Sequence, residues 1–273
     1  MIKNALTIAL RWIRKYTIVI IGLLIIAYIM LPNIVVVIFS FNEPVGRRTS
    51  VWNRFSLDAW THLCSPAGMC DSVVLSLTIG VVSALVATVI GTMAAFALVR
   101  FRFRGRGTTN LLIFFPMATP EVVMGSSLLT LFIAVGVRSG IATILIAHIL
   151  FTLSFVVTTV KARVSSMDPA LEQAAADLYA TPSQTFWRVT FPLAAPGIAA
   201  GALLAFALSF DDYIVTSFNA GPSTITFPMY IWGAAQRGVP VQVNVIGTIM
   251  FLGAIAIVAI AQGIGARKQK ADA

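Results

Sequence analysis

The chain has 273 residues, 58% of them hydrophobic and 11% charged, and its mean hydropathy is +0.92. A soluble domain carries about a quarter of its residues as charged groups, so this composition excludes an ordinary soluble enzyme and places the chain among membrane proteins. The formal net charge of +9 would suit nucleic acid in a soluble protein, but the charges are segregated along the chain in a way that excludes that partner.

Residues 1–16 read as a basic, amphipathic segment on the cytoplasmic side. Six apolar stretches follow, at 17–40, 72–98, 110–134, 141–160, 196–217 and 242–265, each long enough for the roughly 20 residues a helix needs to cross the hydrocarbon. Backbone groups in lipid must be satisfied within each segment, so these are predicted helices. The first apolar run exceeds the roughly 7–15 residues of a signal-peptide core, which predicts an uncleaved first span.

Basic residues cluster in every second connection. One side holds Lys3, Arg11, Arg14 and Lys15, then Arg100, Arg102, Arg104 and Arg106, then Lys161, Arg163 and Arg188, and finally Arg267, Lys268 and Lys270. The other side holds only Arg47, Arg48, Arg54, Arg138 and Arg237. The richer side is cytoplasmic by the positive-inside rule, so both termini are expected inside, with a tail at 266–273.

The first outside loop, 42–71, carries Phe55-Ser56-Leu57-Asp58-Ala59-Trp60. Ser56 can cap a short helix there, either resting on headgroups or forming part of a landing site for an external protein. Cys64 and Cys70 lie in the same loop; an oxidising face permits a disulfide, and two free thiols are the alternative. The turn from Arg100 to Gly107 reads as a stop signal that binds headgroups. Pro116 and Pro120 interrupt the third span and remove two backbone donors, with Glu121 directly after the second. His148 sits in an apolar setting and reads as a packed, hydrogen-bonded core histidine.

The stretch 161–195 is polar and helix-prone between two apolar runs. Asp168-Pro169 is a helix start, a capping carboxylate followed by proline at the first helical position. It predicts a helix of about 11 residues, three turns of the usual pitch, ending at Leu178 or Tyr179. Thr181-Pro182 repeats the signal for a second short helix through Trp187. Two such helices at an angle, with surface alanines, make a compact knob that a partner groove could close around.

No phosphate-binding Gly-x-x-x-x-Gly-Lys-Ser/Thr is present, nor a His-Glu-x-x-His, and two histidines leave no plausible Ser/His/Asp set. No catalytic role is expected, and any work the chain does must be powered from elsewhere.

Ala174-Ala175, Asp177-Leu178, Ala180 and Val189-Thr190-Phe191-Pro192 keep the register of the "EAA loop" of ABC-importer permeases. The family glutamate falls on Gln173, with Glu172 one residue early and about 100° away around the helix. The family glycine falls on Tyr179, which is strained if that turn needs a positive φ. Leu31-Pro32 through Ser40-Phe41-Asn42, Phe103-Arg104-Gly105, Pro120-Glu121-Val122-Val123 and Ser209-Phe210-Asp211-Asp212-Tyr213 with Gly221-Pro222 also resemble the spermidine/putrescine branch of these permeases.

The resemblance implies an all-α, polytopic membrane bundle of the MetI-like type I importer fold, over residues 17–265. It implies Glu172, Gln173, Ala174, Ala175, Asp177, Leu178, Tyr179 and Ala180 as the surface that docks an ATPase. It also implies a heterodimer with a homologous permease, two ATP-binding subunits that use the ATP and magnesium, and an extracytoplasmic substrate-binding protein, in a bacterial inner membrane. This chain itself would bind no cofactor. Related importers of iron(III) and opines share the scaffold, and an autonomous channel or secondary transporter is the competing class.

Three of the ten acidic residues, Glu121, Asp211 and Asp212, lie at or near membrane depth. A carboxylate at a helix centre costs roughly 2.5–3.5 kcal/mol on insertion scales and usually faces a watery path. A polyamine would supply the missing positive charge, and Phe210, Tyr213 and Trp232 could add cation–π contacts. Neighbouring helix positions point in different directions, so one of Asp211 and Asp212 at most is expected to face the path. The resemblance favours Glu121 and Asp212.

Overall fold

A computed structural model describes residues 2–46, 49 and 51–271, with side chains for residues 16–46, 49 and 51–259. The basic side chains Lys3, Arg11, Arg14, Lys15, Arg47, Arg48, Arg267, Lys268 and Lys270 lie outside that description. In chain order the elements are α1 (Ile2–Phe39), β1 (Asn42–Glu43), β2 (Arg54–Phe55), α2 (Asp58–Thr61), α3 (Met69–Arg100), α4 (Arg106–Ala118), α5 (Glu121–Ala134) and α6 (Ile141–Ser165). Then follow α7 (Ala170–Asp177), α8 (Pro182–Thr185), a π turn at Phe186–Thr190, α9 (Phe191–Asp211), α10 (Ile214–Asn219), α11 (Phe227–Ala235) and α12 (Val241–Ala271).

Among the described residues, five helical stretches are long and apolar enough to cross a membrane: Tyr16–Phe39, Met69–Arg100, Ile141–Ser165, Pro182–Asp211 and Val241–Ala259. The pair α4 and α5, bent by 108°, makes a sixth when counted as one broken span. The bend has a local cause. Thr119 precedes Pro120, whose ring disfavours the α region for the residue before it, and Thr119 is extended at φ −82°, ψ 131°.

The fifth crossing corrects the expected span 196–217 at both ends. It begins at Pro182, because α8, the π turn and α9 run on without a stop. Thr181-Pro182 therefore opens the span itself and not a separate short helix. Pro192 lacks the N–H that Arg188 O would normally receive, and the wide π turn just before it is a usual way to absorb such a defect. The span ends at Asp211 because Asp212 is extended, at φ −65°, ψ 125°.

The chain divides into two compact units, residues 1–67 with 233–273, and residues 68–232. In the first, α1 packs on α12, and α12 on α2. β1 and β2 form a two-stranded antiparallel hairpin pairing Asn42 with Phe55 and Glu43 with Arg54. Phe41 stacks on Phe55 at 5.6 Å and on Trp60 at 5.3 Å. Ser56 Oγ accepts the Asp58 N–H at 3.1 Å, but the N-cap of α2 is Leu57, which has no side-chain cap bond, so the expected cap is corrected to a local turn contact one residue upstream. Cys64 and Cys70 are both disulfide-bonded, which removes the free-thiol alternative.

In the second unit α3, α6 and α9 pack against one another around Ala84, Ala87, Ala95, Val156, Val160, Ala194 and Ala205. Small residues allow this close approach, as they do between helices in lipid. A Cβ at Gly91 would lie 2.7 Å from a Val156 methyl, and one at Gly197 would lie 2.4 Å from the Arg163 stem.

Candidate functional site

A cavity of about 610 Å³ opens beside the break between α9 and α10. Glu121, Asp211, Asp212, Tyr213 and Trp232, the five residues expected along a substrate path, all line it. Glu121 is the first residue of α5, so the bend at Thr119–Pro120 delivers it to this wall. Asp211 is the last residue of α9 and Asp212 is already extended. That change of backbone lets both line the cavity, where an unbroken helix would point them in different directions.

The aromatic wall is ordered. Tyr213 stacks on Trp232 at 5.1 Å with 29° between the rings, and Phe210 meets Phe227 at 6.3 Å. Phe151 and Phe227 also line the cavity. Sequence reasoning missed both, because an apolar side chain in an apolar span carries no mark of what it faces.

The three carboxylates differ. Asp212 is 8% exposed, and its oxygens cap α10: Oδ2 accepts from Thr216 N at 2.7 Å and Thr216 Oγ1 at 2.8 Å, and Oδ1 accepts from Val215 N at 3.3 Å. His148 Nε2 lies 3.4 Å from the same Oδ2. Glu121 and Asp211 are exposed. Among the described residues no lysine or arginine pairs with any of the three. The arrangement can attract a cation by charge and hold its ammonium groups against aromatic faces.

The docking candidates sit on α7 and the turn after it. Asp168 Oδ1 accepts the Ala170 N–H at 2.9 Å, so the helix start is as expected, but α7 ends at Asp177 after 8 residues. It ends early because Tyr179 leaves the helical region, at φ +58°. Tyr179 N–H donates to Ala176 O at 2.9 Å and Ala180 N–H to Ala175 O at 3.0 Å, the two bonds of a Schellman C-cap. Tyrosine thus occupies a left-handed position that favours glycine by about 1 kcal/mol. Its side chain is 96% exposed and that of Leu178 82%, so neither packs on this chain. Gln173, Ala174 and Asp177 are exposed, and Ala175 and Ala180 are half-buried. At the next start, Gln184 N donates to Thr181 Oγ1 at 3.3 Å and Thr181 N to Gln184 Oε1 at 2.9 Å, a capping box.

Glu172 turns the other way. Its Oε1 accepts from Arg100 Nη2 at 2.7 Å and from Thr190 Oγ1 at 3.0 Å, which fastens α7 to α3 and to the π turn. The reading of the Arg100 turn as a headgroup anchor alone is therefore corrected: Arg100 is an internal partner of α7.

Residues 87–270 match the family described as "Binding-protein-dependent transport system inner membrane component". The chain is 37% identical over 260 residues to the putrescine transport system permease protein PotI of Escherichia coli (strain K12), covering 92% of each. It is also 37% identical over 246 residues to the spermidine/putrescine transport system permease protein PotC of the same strain, covering 90% of this chain and 92% of the relative. Among solved structures, one described as a bacterial alginate ABC transporter in complex with an alginate pentasaccharide-bound periplasmic protein shares the fold, with a TM-score of 0.67 at 16% identity over 94% of this chain and 96% of that one. The chain, an all-α multi-pass membrane permease subunit of the ABC-importer type, belongs to the binding-protein-dependent transport system inner membrane component family.

Proposed function

We propose that this permease carries polyamines, spermidine or putrescine, through a path that includes the cavity at the α9–α10 break. The observation that carries the reading is the convergence of Glu121, Asp211 and Asp212 with the stacked pair Tyr213 and Trp232 on one cavity. Spaced carboxylates with aromatic faces suit an extended solute with two or more ammonium groups. The two relatives, whose names refer to putrescine and spermidine, support the same cargo.

The chain works with a homologous permease, two ATP-binding subunits and an external binding protein, and both its termini are cytoplasmic. The ATPases grip α7 and the turn at Leu178–Tyr179. Their closure on ATP moves that knob and opens the path outward, and hydrolysis resets it. This chain holds and passes the cargo without bond chemistry of its own.

The test is uptake into proteoliposomes that hold the assembled transporter, with spermidine-loaded binding protein outside and ATP available to the ATPases. ATP-dependent spermidine uptake, reduced by Asp211→Asn and by Glu121→Gln with assembly intact, is expected. No uptake, together with no stimulation of ATP hydrolysis by the loaded binding protein, rejects the polyamine reading. Selective flux through this chain reconstituted alone rejects the ATP-driven one.

A further inference from the structure

Behind the cavity wall lies a buried polar chain that crosses four helical elements. Ser83 on α3, Ser209 on α9, His148 on α6, and Thr216 on α10 are each at most 4% exposed. Their polar atoms make consecutive short contacts that end on Asp212. Ser83 Oγ is 2.7 Å from Ile79 O and 2.8 Å from Ser209 Oγ. Ser209 Oγ is 2.7 Å from His148 Nδ1. His148 Nε2 is 2.9 Å from Thr216 Oγ1, which is 2.8 Å from Asp212 Oδ2.

We infer that His148 is the internal counter-ion of Asp212, a positioning residue that leaves Glu121 and Asp211 as the charges facing a cationic solute. Counting hydrogens carries the inference. The chain has five contacts, and each needs one hydrogen. Both ends only accept: Ile79 O is a carbonyl, and Asp212, whose Oδ2 and Oδ1 already take the backbone N–H groups of Thr216 and Val215, is a carboxylate, the form that such donors favour. Each hydroxyl brings one hydrogen, and a neutral imidazole brings one more. The three hydroxyls and a neutral ring supply four. The imidazolium, with a hydrogen on each nitrogen, supplies the fifth.

The directions then follow without conflict. Ser83 donates to Ile79 O and Ser209 donates to Ser83. His148 Nδ1–H donates to Ser209 and Nε2–H to Thr216, and Thr216 donates to Asp212. Nε2 lies 3.4 Å from Asp212 Oδ2, so the two opposite charges sit side by side where water is excluded. A buried charge persists when it is paired and hydrogen-bonded, and here both conditions are met by one ring. Among the described residues, the ring of His148 bonds only Ser209 and Thr216, and Asp212 is the charged group beside it.

The consequence deepens the polyamine reading and rests on it. Asp212 lines the cavity, but its charge is cancelled from behind and its oxygens hold α10. The cargo meets the other two carboxylates.

Two measurements test this. The chain has two histidines, and His62 is exposed. His62→Gln in the assembled transporter therefore leaves one histidine in this chain. Labelling this chain alone with ¹⁵N-histidine then makes His148 the single signal. At neutral pH both ring nitrogens should show the protonated-type shift. A pyridine-type nitrogen overturns the inference, whatever the cargo is.

The second is a double-mutant cycle on spermidine uptake. Asp212→Asn alone strands a positive charge at the wall and should lower uptake about tenfold or more, whereas Asp212→Asn with His148→Gln removes both charges and should recover to within about threefold of the parent. Additive losses overturn the counter-ion role. Assembly is checked by co-purification of the ATPase, and should a variant not assemble, the NMR measurement decides alone. A parent transporter without spermidine uptake rejects the cargo and leaves the protonation result standing.

Discussion

Arg100 Nη2 and Glu172 Oε1 are 2.7 Å apart, and their bond holds α7 against the end of α3. Both side chains are mostly covered, at 23% and 28% exposure. A bond between charged groups of this kind contributes about 1.5–3 kcal/mol, and salt screens it less than a surface pair. Glu172→Gln or Arg100→Ala should loosen α7 by roughly that amount. Hydrogen exchange at Leu171–Asp177 should speed up, and ATP hydrolysed per solute imported should rise. Unchanged exchange in α7 would show that the pair does not hold it.

Tyr179 makes a separable prediction. Its left-handed backbone favours glycine, so Tyr179→Gly should stabilise the α7 cap by about 0.5–1 kcal/mol. The same change removes an almost fully exposed aromatic ring. If that ring grips the ATPase, co-purification weakens while local stability rises. A variant that binds the ATPase as well as the parent would assign the ring no part in docking.

Trp232 stacks on Tyr213 at 5.1 Å. Removing one aromatic face for a cation costs about 0.5–2 kcal/mol, so Trp232→Ala should lower polyamine uptake roughly 2–30-fold. Trp232→Phe should retain most of it. Equal loss in both variants would point to packing and not to the ring's electrons.

The hairpin of the first unit carries an exposed pH response. The Arg54 guanidinium holds the Glu43 carboxyl below its ordinary value. A lowered folded-state value means the contribution is present above the ordinary value near 4.5 and is lost as pH falls through the folded one. Hydrogen exchange in the paired strands Asn42–Glu43 and Arg54–Phe55, corrected for the intrinsic pH dependence of exchange, should therefore become less protected on acidification. The pair lies at the solvent surface, so the effect should shrink at high salt.

Local signals in the chain foretold local structure well. Hydropathy located the described crossings, though not the ends of the fifth, Pro120 marked the bend, Thr181-Pro182 marked a helix start, and three carboxylates at depth marked the cavity. What stayed hidden is pairing over long separations. Arg100 finds Glu172 across 72 positions and His148 finds Ser209 across 61, and no periodicity encodes either choice. Arg100 looked like one of several basic residues at a membrane edge. His148 was legible as a satisfied core residue, but what satisfied it was not. The early end of α9 was equally obscure, because Asp211-Asp212 in an apolar run does not say which residue leaves the helix.

The uninterrupted run from Pro182 to Asp211 is 30 residues long, about 45 Å at the usual rise of a helix. One extremity adjoins the turn that carries Tyr179, and the other supplies a carboxylate of the cavity. Hydrogen-bonded helices flex sideways far more readily than they shorten. If the first extremity is pushed along the axis, the regular turns beyond the π defect at Phe186–Thr190 can carry that displacement to the second without a relay of side chains in between.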